Sequence, residues 1–102
     1  MEMAHVLAMK SREKPASESV EITLKLFAML ERWLPEGARR NEIRLSVPAG
    51  TTPAEIISAL DLPEPLCALV LVNGAFVEHE LRAVRRLAPG DALSIWPPIA
   101  GG

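Results

Sequence analysis

The sequence has one cysteine, four aromatic residues and no large excess of either charge. A single cysteine, Cys67, excludes an intramolecular disulfide and any multi-cysteine metal site, and it is typical of a reducing compartment. The formal net charge of −2 lacks the basic excess expected of a nucleic-acid binder. No apolar run is long enough to span a membrane, and the first residues lack the charged start and apolar centre of a secretory signal. We therefore predict a cytoplasmic protein that binds neither nucleic acid nor membrane.

What the chain does contain is enough aliphatic sequence for one small domain. Its 102 residues are 49% hydrophobic but only 4% aromatic, so the core is expected to be mostly aliphatic. Residues 10–19 are rich in charge, serine and alanine without an apolar period, and we predict a poorly ordered N-terminal tail over residues 1–19. The folded domain is predicted to span residues 20–96, and residues 97–102 are predicted to project from it as a C-terminal tail.

Four segments have the patterns of strands. Residues 20–26, 43–47 and 92–96 alternate apolar and polar side chains, which indicates strands with one buried face. Residues 68–72 are apolar throughout, which predicts a central strand buried on both faces.

One helix is predicted between the second and third of these strands along the chain. Thr51 or Thr52 can cap its N-terminus, and Pro53 suits the first helical position. The apolar residues that follow lie on one face at helical spacing, and Asp61 and Pro63 are expected to end the helix.

Two shorter features complete the predicted order of elements. Residues 28–34 are expected to form a helical turn that ends at Pro35. Asn73-Gly74 is typical of a tight hairpin turn, after which residues 75–77 return as a short strand. One main helix on one face of a small mixed sheet is an α+β fold.

The end of the sequence has a chemical meaning of its own. Pro97-Pro98 closes the last strand and stiffens the exit from the sheet, while Gly101-Gly102 has no side chains and can pass through a narrow channel. A terminal carboxylate is ionised at neutral pH and must be activated, for example as an acyl-adenylate made from ATP. The chain has no Gly-rich phosphate loop, so a partner enzyme would supply that step. The activated carbonyl could then receive sulfur to give a thiocarboxylate, or a lysine to give an isopeptide.

Residues 87–102 carry a leucine, a Gly-Asp turn, an alternating strand, Pro-Pro and a final Gly-Gly. In this pattern, and in Val72-Asn73-Gly74, the sequence resembles the MoaD/ThiS family of sulfur carriers over residues 20–102. The resemblance implies the ubiquitin-like β-grasp fold with a flexible C-terminal Gly-Gly tail. The Pro-Pro before that tail is more similar to the small subunit of molybdopterin synthase than to the thiamine carrier.

The resemblance also implies a function and partners. Gly102 would carry the acyl-adenylate and then the thiocarboxylate, with Gly101 as its channel-fitting neighbour. A ubiquitin-activator-like adenylating enzyme would use ATP to load it, a persulfide protein would donate sulfur, and the large subunit of molybdopterin synthase would receive it. The chain itself would bind no cofactor or metal, and it would not be an enzyme alone.

The pathway stays open at this point because two segments depart from the short family pattern. The tail before Val20 is extra, and residues 33–41 are longer than expected. A sulfur carrier for another pathway, such as thiamine, would look much the same. A ubiquitin-like modifier joined to lysines and a plain interaction module are the alternatives from other functional classes.

A partner surface is predicted at the base of the tail. Trp96 is out of phase with the buried residues of its strand, and Phe27 is out of phase in the same way, so both are expected to face away from the helix. The predicted partner-binding residues are Phe27, Trp96, Pro97, Pro98, Ile99 and Ala100.

The remaining polar candidates carry less specific signals. Arg82, Arg85 and Arg86 either meet an acidic partner or lie in a solvated loop. Cys67 is interpreted as a buried structural residue, with a sulfur-accepting thiol as the minor alternative. His5 and His79 have no partnering motif, and no metal site is predicted.

Overall fold

A mixed sheet of five strands forms the centre of the molecule, and with the strands numbered along the chain their order across the sheet is 2-1-5-3-4. The computed structural model describes residues 18–98, and residues 1–17 and 99–102 lie outside it. The strands are β1 (Ser19–Leu26), β2 (Glu42–Pro48), β3 (Leu69–Val72), β4 (Ala75–Phe76) and β5 (Ala92–Trp96), and the helix is α1 (Pro53–Ala59). The first and last strands, β1 and β5, are parallel neighbours, and the other pairs are antiparallel. This is the predicted α+β fold, a ubiquitin-like β-grasp.

Alternation along the strands builds the core on one face of the sheet. On β1 every second side chain from Ile22 to Leu26 is buried, and β2 and β5 follow the same rule. Ile56 and Ile57 of α1 close the core from above. The core is almost entirely aliphatic, as the composition predicts. We call the opposite surface of the sheet the outer face.

The start of α1 is fixed by a capping box. The Thr52 hydroxyl accepts a hydrogen bond from the backbone N–H of Glu55 at 3.3 Å, and the Glu55 carboxylate accepts one from the N–H of Thr52 at 3.0 Å. Of the two predicted caps, Thr52 is therefore the cap, while the Thr51 hydroxyl donates to the carbonyl of Pro48. The helix ends at Ala59, slightly before the predicted stop, and Asp61 adopts a positive φ of 57°.

The prediction that β3 is buried on both faces is wrong. Val70 and Val72 point into the core, but Leu69 is exposed and Leu71 is only partly covered on the outer face. The single α-helix packs on one face only and β4 is just two residues long. Within residues 18–98 the other side of β3 is therefore covered only in part. A continuous apolar run therefore marks an exposed apolar surface here.

Three 3₁₀ helices make up the shorter connections, at Ala28–Trp33, Glu64–Leu66 and His79–Leu81. The first confirms the predicted helical turn before Pro35. Within residues 18–98, no helix has the length and apolar character needed to cross a membrane.

Two turns at one end of the sheet are joined by side chains. Asn73 and Gly74 both have positive φ, 53° and 83°, which confirms the predicted hairpin turn between β3 and β4. The Asn73 amide donates to the Asp91 carboxylate at 2.9 Å and accepts from the N–H of Ala92 at 2.9 Å. The second carboxylate oxygen of Asp91 accepts from the N–H of Ala88 at 2.8 Å. This Asn73–Asp91 clamp sets the start of β5, the strand from which the tail leaves.

Candidate docking surface at the base of the tail

The outer face of the sheet is apolar on one half. Leu69 is the cross-strand partner of Trp96, and Leu71 is the partner of Phe76, so these four side chains share the outer face. Trp96 is 39% exposed and Phe76 is 58% exposed. Together with Phe27 they form a contiguous surface, which we call the apolar patch: Phe27, Leu69, Leu71, Phe76 and Trp96.

Two aromatic rings stack in the apolar patch. The rings of Phe27 and Trp96 lie parallel, with centroids 3.7 Å apart and planes inclined by 4°. The parallel pairing of β1 with β5 brings them together, and the Phe27 N–H donates to the carbonyl of Ile95 at 3.2 Å. Both side chains point away from α1, which confirms the predicted orientation. Their role in partner binding stays a prediction.

A strained backbone holds Phe27 in place. Ala28, the next residue, has φ 55°, a left-handed conformation that is unfavourable for a residue with a Cβ. It turns the chain from β1 into the first 3₁₀ helix, where the N–H of Leu30 donates to the carbonyl of Phe27 at 3.0 Å and the Leu30 side chain is buried. The core contact of Leu30 therefore fixes the position of Phe27.

The tail leaves the sheet at the edge of the apolar patch. At the end of the β3–β5 pairing, the backbone N–H of Ala68 donates a hydrogen bond to the carbonyl of Trp96 at 3.0 Å. Pro97 is half-buried and Pro98 is exposed. The other predicted tail residues lie outside the described residues: Ile99, Ala100, Gly101 and Gly102.

The other half of the outer face is polar. Glu21 of β1 pairs with Arg44 of β2, with a nitrogen–oxygen distance of 3.5 Å. Lys25 lies between Glu42 of β2 and Ser94 of β5 in the strand register, next to the apolar patch.

Arg82 does not belong to a solvated loop or to an exposed partner surface, so both expectations for it are wrong. Its side chain is only 5% exposed. One guanidinium nitrogen donates to the carbonyl of Ala68 at 3.3 Å, and the Arg82 carbonyl accepts from the N–H of Ala54 at 2.9 Å. Arg82 thus ties its loop to α1 and to the residue before β3. Arg85 and Arg86 are exposed, and their two interpretations remain open.

Cys67 is a buried structural residue, as its main interpretation states. Its thiol donates to the carbonyl of Pro63 at 3.6 Å. Burial raises the pKa of the Cys67 thiol, an effect that the nearby Arg82 charge partly offsets. A buried, protonated thiol is a poor sulfur acceptor because the thiolate is the nucleophile.

Of the two histidines, only His79 lies among the described residues. His79 lies 3.7 Å from Glu64 on the exposed surface, and His5 is outside the described residues. Across residues 18–98, no group of three His, Cys, Asp or Glu side chains could hold a metal ion.

The comparisons with known proteins agree with the resemblance in the sequence. The model of the ThiS family matches residues 25–102. No curated protein matches the chain. Among solved structures, the chain is similar to that of the Haloferax volcanii protein HVO 2177, with 28% sequence identity and a TM-score of 0.66. The match covers 82% of this chain and 88% of that chain.

Two further structures have the same fold. The small archaeal modifier protein 1 of Methanosarcina acetivorans has 26% identity and a TM-score of 0.55, covering 83% of this chain and 99% of that chain. A candidate molybdopterin converting factor, subunit 1, from Pyrococcus furiosus has 20% identity and a TM-score of 0.55, covering 78% of this chain and 99% of that chain.

Proposed function

This chain belongs to the ThiS family of ubiquitin-like carriers and modifiers, and we propose that it is a sulfur carrier with Gly102 as its working residue. The observation that supports this best is the position of the apolar patch at the base of the tail. Trp96 of the apolar patch is the last residue of β5, and the tail that ends in Gly101-Gly102 continues directly from it. The match to the family extends through the final Gly-Gly.

The chemistry proceeds in three steps on the terminal carboxylate. An oxygen of the Gly102 carboxylate attacks the α-phosphate of ATP in the adenylating enzyme, pyrophosphate leaves, and an acyl-adenylate forms. The terminal sulfur of a protein persulfide then attacks the acyl carbon and AMP leaves. A thiol reduces the resulting S–S bond and releases the thiocarboxylate. This chain supplies the acyl group and the docking surface, while the partners supply the catalytic groups.

The apolar patch is suited to hold such a partner. Aromatic side chains near the centre of an interface often carry much of its binding energy, and the stacked Phe27 and Trp96 are already fixed in position before binding. Pro97 and Pro98 continue stiffly from Trp96. The four residues after them can span at most about 14 Å, so Gly102 would enter a partner site close to the docked patch.

We propose that the sulfur is used in molybdopterin synthesis and that the large subunit of molybdopterin synthase receives it. We also propose that the chain acts in the cytoplasm. The Pro97-Pro98 before the tail supports this pathway over the thiamine pathway. The similar structure from Pyrococcus furiosus is described as a subunit of a molybdopterin converting factor. At 20% sequence identity, that similarity supports the fold alone.

A protein modifier is the second candidate function. The observation that favours it is the similarity to a structure described as a small archaeal modifier protein, at 26% identity. The same activated carbonyl would then be attacked by a lysine amine of another protein, and an isopeptide would form in place of a thiocarboxylate.

The intact mass of the chain tests the proposal. We would co-express it with an adenylating enzyme and a sulfur donor and look for the mass change of one oxygen replaced by sulfur. The change should be absent when Gly102 is deleted. An unchanged mass with an enzyme that loads another carrier would refute the sulfur-carrier function. Covalent adducts on lysines of other proteins would favour the modifier.

A second measurement tests the docking surface. Trp96→Ala should weaken binding of the adenylating enzyme while the fold is retained. Val84→Ala is the matched control, because Val84 is an apolar residue that is 63% exposed and lies outside the apolar patch. Equal affinity of the Trp96 variant and the unmodified chain would remove Trp96 from the interface.

A further inference from the structure

Lys25 is the single lysine of residues 18–98, and it lies beside the apolar patch. It faces outward from β1, two residues before Phe27, and Ser94, its neighbour on β5, lies two residues before Trp96. Two residues along a strand span about 7 Å. In the strand register, Lys25 therefore lies within about one side-chain length of Phe27 and Trp96.

The charge of Lys25 is not paired within the described part of the chain. Glu42 stands directly opposite it on β2, yet no carboxylate among residues 18–98 forms an ion pair with the Lys25 ammonium. The other cation of the outer face, Arg44, is paired with Glu21 at 3.5 Å. Lys25 is also half-buried on this face.

A partner that covers the stacked rings also covers Lys25. A stable protein interface extends over about 800 Å² of each partner, and this is much wider than the separation of Lys25 from Phe27. Burial of an unpaired ammonium opposes binding because the charge loses its water. An apolar partner surface with no charge would therefore be penalised at this position, whereas a carboxylate would compensate the lost hydration.

We propose that the adenylating enzyme meets Lys25 with a carboxylate at the border of its apolar docking surface. This inference rests on the proposed function, because it assigns the partner of that same surface. Lys25 then sets the orientation of the carrier on the enzyme, since an ion pair beside a stacked aromatic pair fixes the rotation about the apolar contact.

The experiment measures the affinity of the full chain for the adenylating enzyme by calorimetry. Lys25→Met keeps the length and the apolar stem of the side chain and removes the charge. We expect at least about tenfold weaker binding for this variant, and weaker binding still for Lys25→Glu. Equal or tighter binding of Lys25→Met would overturn the proposal, because that is the result for a partner surface without a carboxylate.

Two control variants on the same face identify the source of the effect. Glu42→Gln should leave the affinity within about twofold if the partner supplies the carboxylate. If Glu42→Gln weakens binding as much as Lys25→Met, the effect does not come from a carboxylate of the enzyme at Lys25, and the proposal fails. Arg44→Gln tests a cation that is already paired and should change the affinity little.

Binding and sulfur gain together distinguish an error about Lys25 from an error about the proposed function. If the unmodified chain binds the enzyme and gains sulfur while Lys25→Met binds equally well, only the assignment of Lys25 is wrong. If the unmodified chain neither binds nor gains sulfur, both proposals are overturned.

Discussion

Removal of the Asp91 carboxylate should destabilise the domain more than most single changes. Asp91 is buried, and its two oxygens accept from the Asn73 amide at 2.9 Å and from the N–H of Ala88 at 2.8 Å. Hydrogen bonds to a charged group contribute about 1.5–3 kcal/mol each to stability. Asp91→Ala removes both acceptors, so we expect a loss of about 3–6 kcal/mol in the free energy of unfolding.

Two variants of Asn73 separate the side-chain bonds of the clamp from the backbone conformation. Asn73→Gly keeps the positive φ of 53° accessible but removes the amide. Asn73→Ala removes the same amide and adds the strain of a left-handed residue, about 1 kcal/mol. The Ala variant should therefore be less stable than the Gly variant by about that amount. The double variant Asn73→Gly with Asp91→Ala should lose less than the sum of the two, because they share one bond.

Urea denaturation followed by circular dichroism measures these differences, provided that the slope of each transition is unchanged. A loss below about 1 kcal/mol for Asp91→Ala would refute the reasoning, since that would equal one ordinary neutral hydrogen bond. Strict additivity of the double variant would show that the two side chains do not act together.

The other predictions concern the docking surface, the strained turn and the thiol. Replacing Phe27 and Trp96 with leucine, singly and together, should give a coupling of about 0.5–1.5 kcal/mol in a denaturation cycle, and zero coupling would contradict the stack. Ala28→Gly should raise the melting temperature by relieving about 1 kcal/mol of backbone strain, and a lower value would mean that the turn is not strained. Burial raises the pKa of the Cys67 thiol above its ordinary value of 9.0 in the folded state. As the pH rises, the thiol of the unfolded chain therefore ionises first. The contribution of Cys67 to stability is intact below pH 9.0 and falls above it. Comparison of pH-dependent unfolding in Cys67→Ala checks this; an unchanged alkaline slope would argue against it.

The local features of the fold were predictable because each depends on neighbouring residues. The alternation on β1 needs only its own side chains, and the cap at Thr52 needs only Glu55 three residues later. The hairpin at Asn73-Gly74 depends on two consecutive positive φ angles. Each of these signals lies within a few residues, and the local preference agrees with the tertiary structure around it.

The features that could not be predicted depend on which strands become neighbours. The outward direction of Phe27 and of Trp96 follows from strand phase, but their stacking requires the parallel register of β1 with β5, which no local pattern specifies. The exposure of Leu69 has the same origin, because it depends on how short the neighbouring β4 is. The burial of Arg82 depends on a carbonyl that is fourteen residues away in the chain.

The parallel pairing of β1 with β5 explains why the candidate site lies where it does. Both strands run in the same direction, so Phe27, just after the end of β1, and Trp96, the last residue of β5, come together at one end of the sheet. The tail then continues from Trp96 itself, so a partner that holds the ring also determines where Pro97 and the residues after it begin. In the proposed function, binding of Trp96 by a partner and positioning of the terminus are therefore coupled through β5 and its parallel neighbour β1.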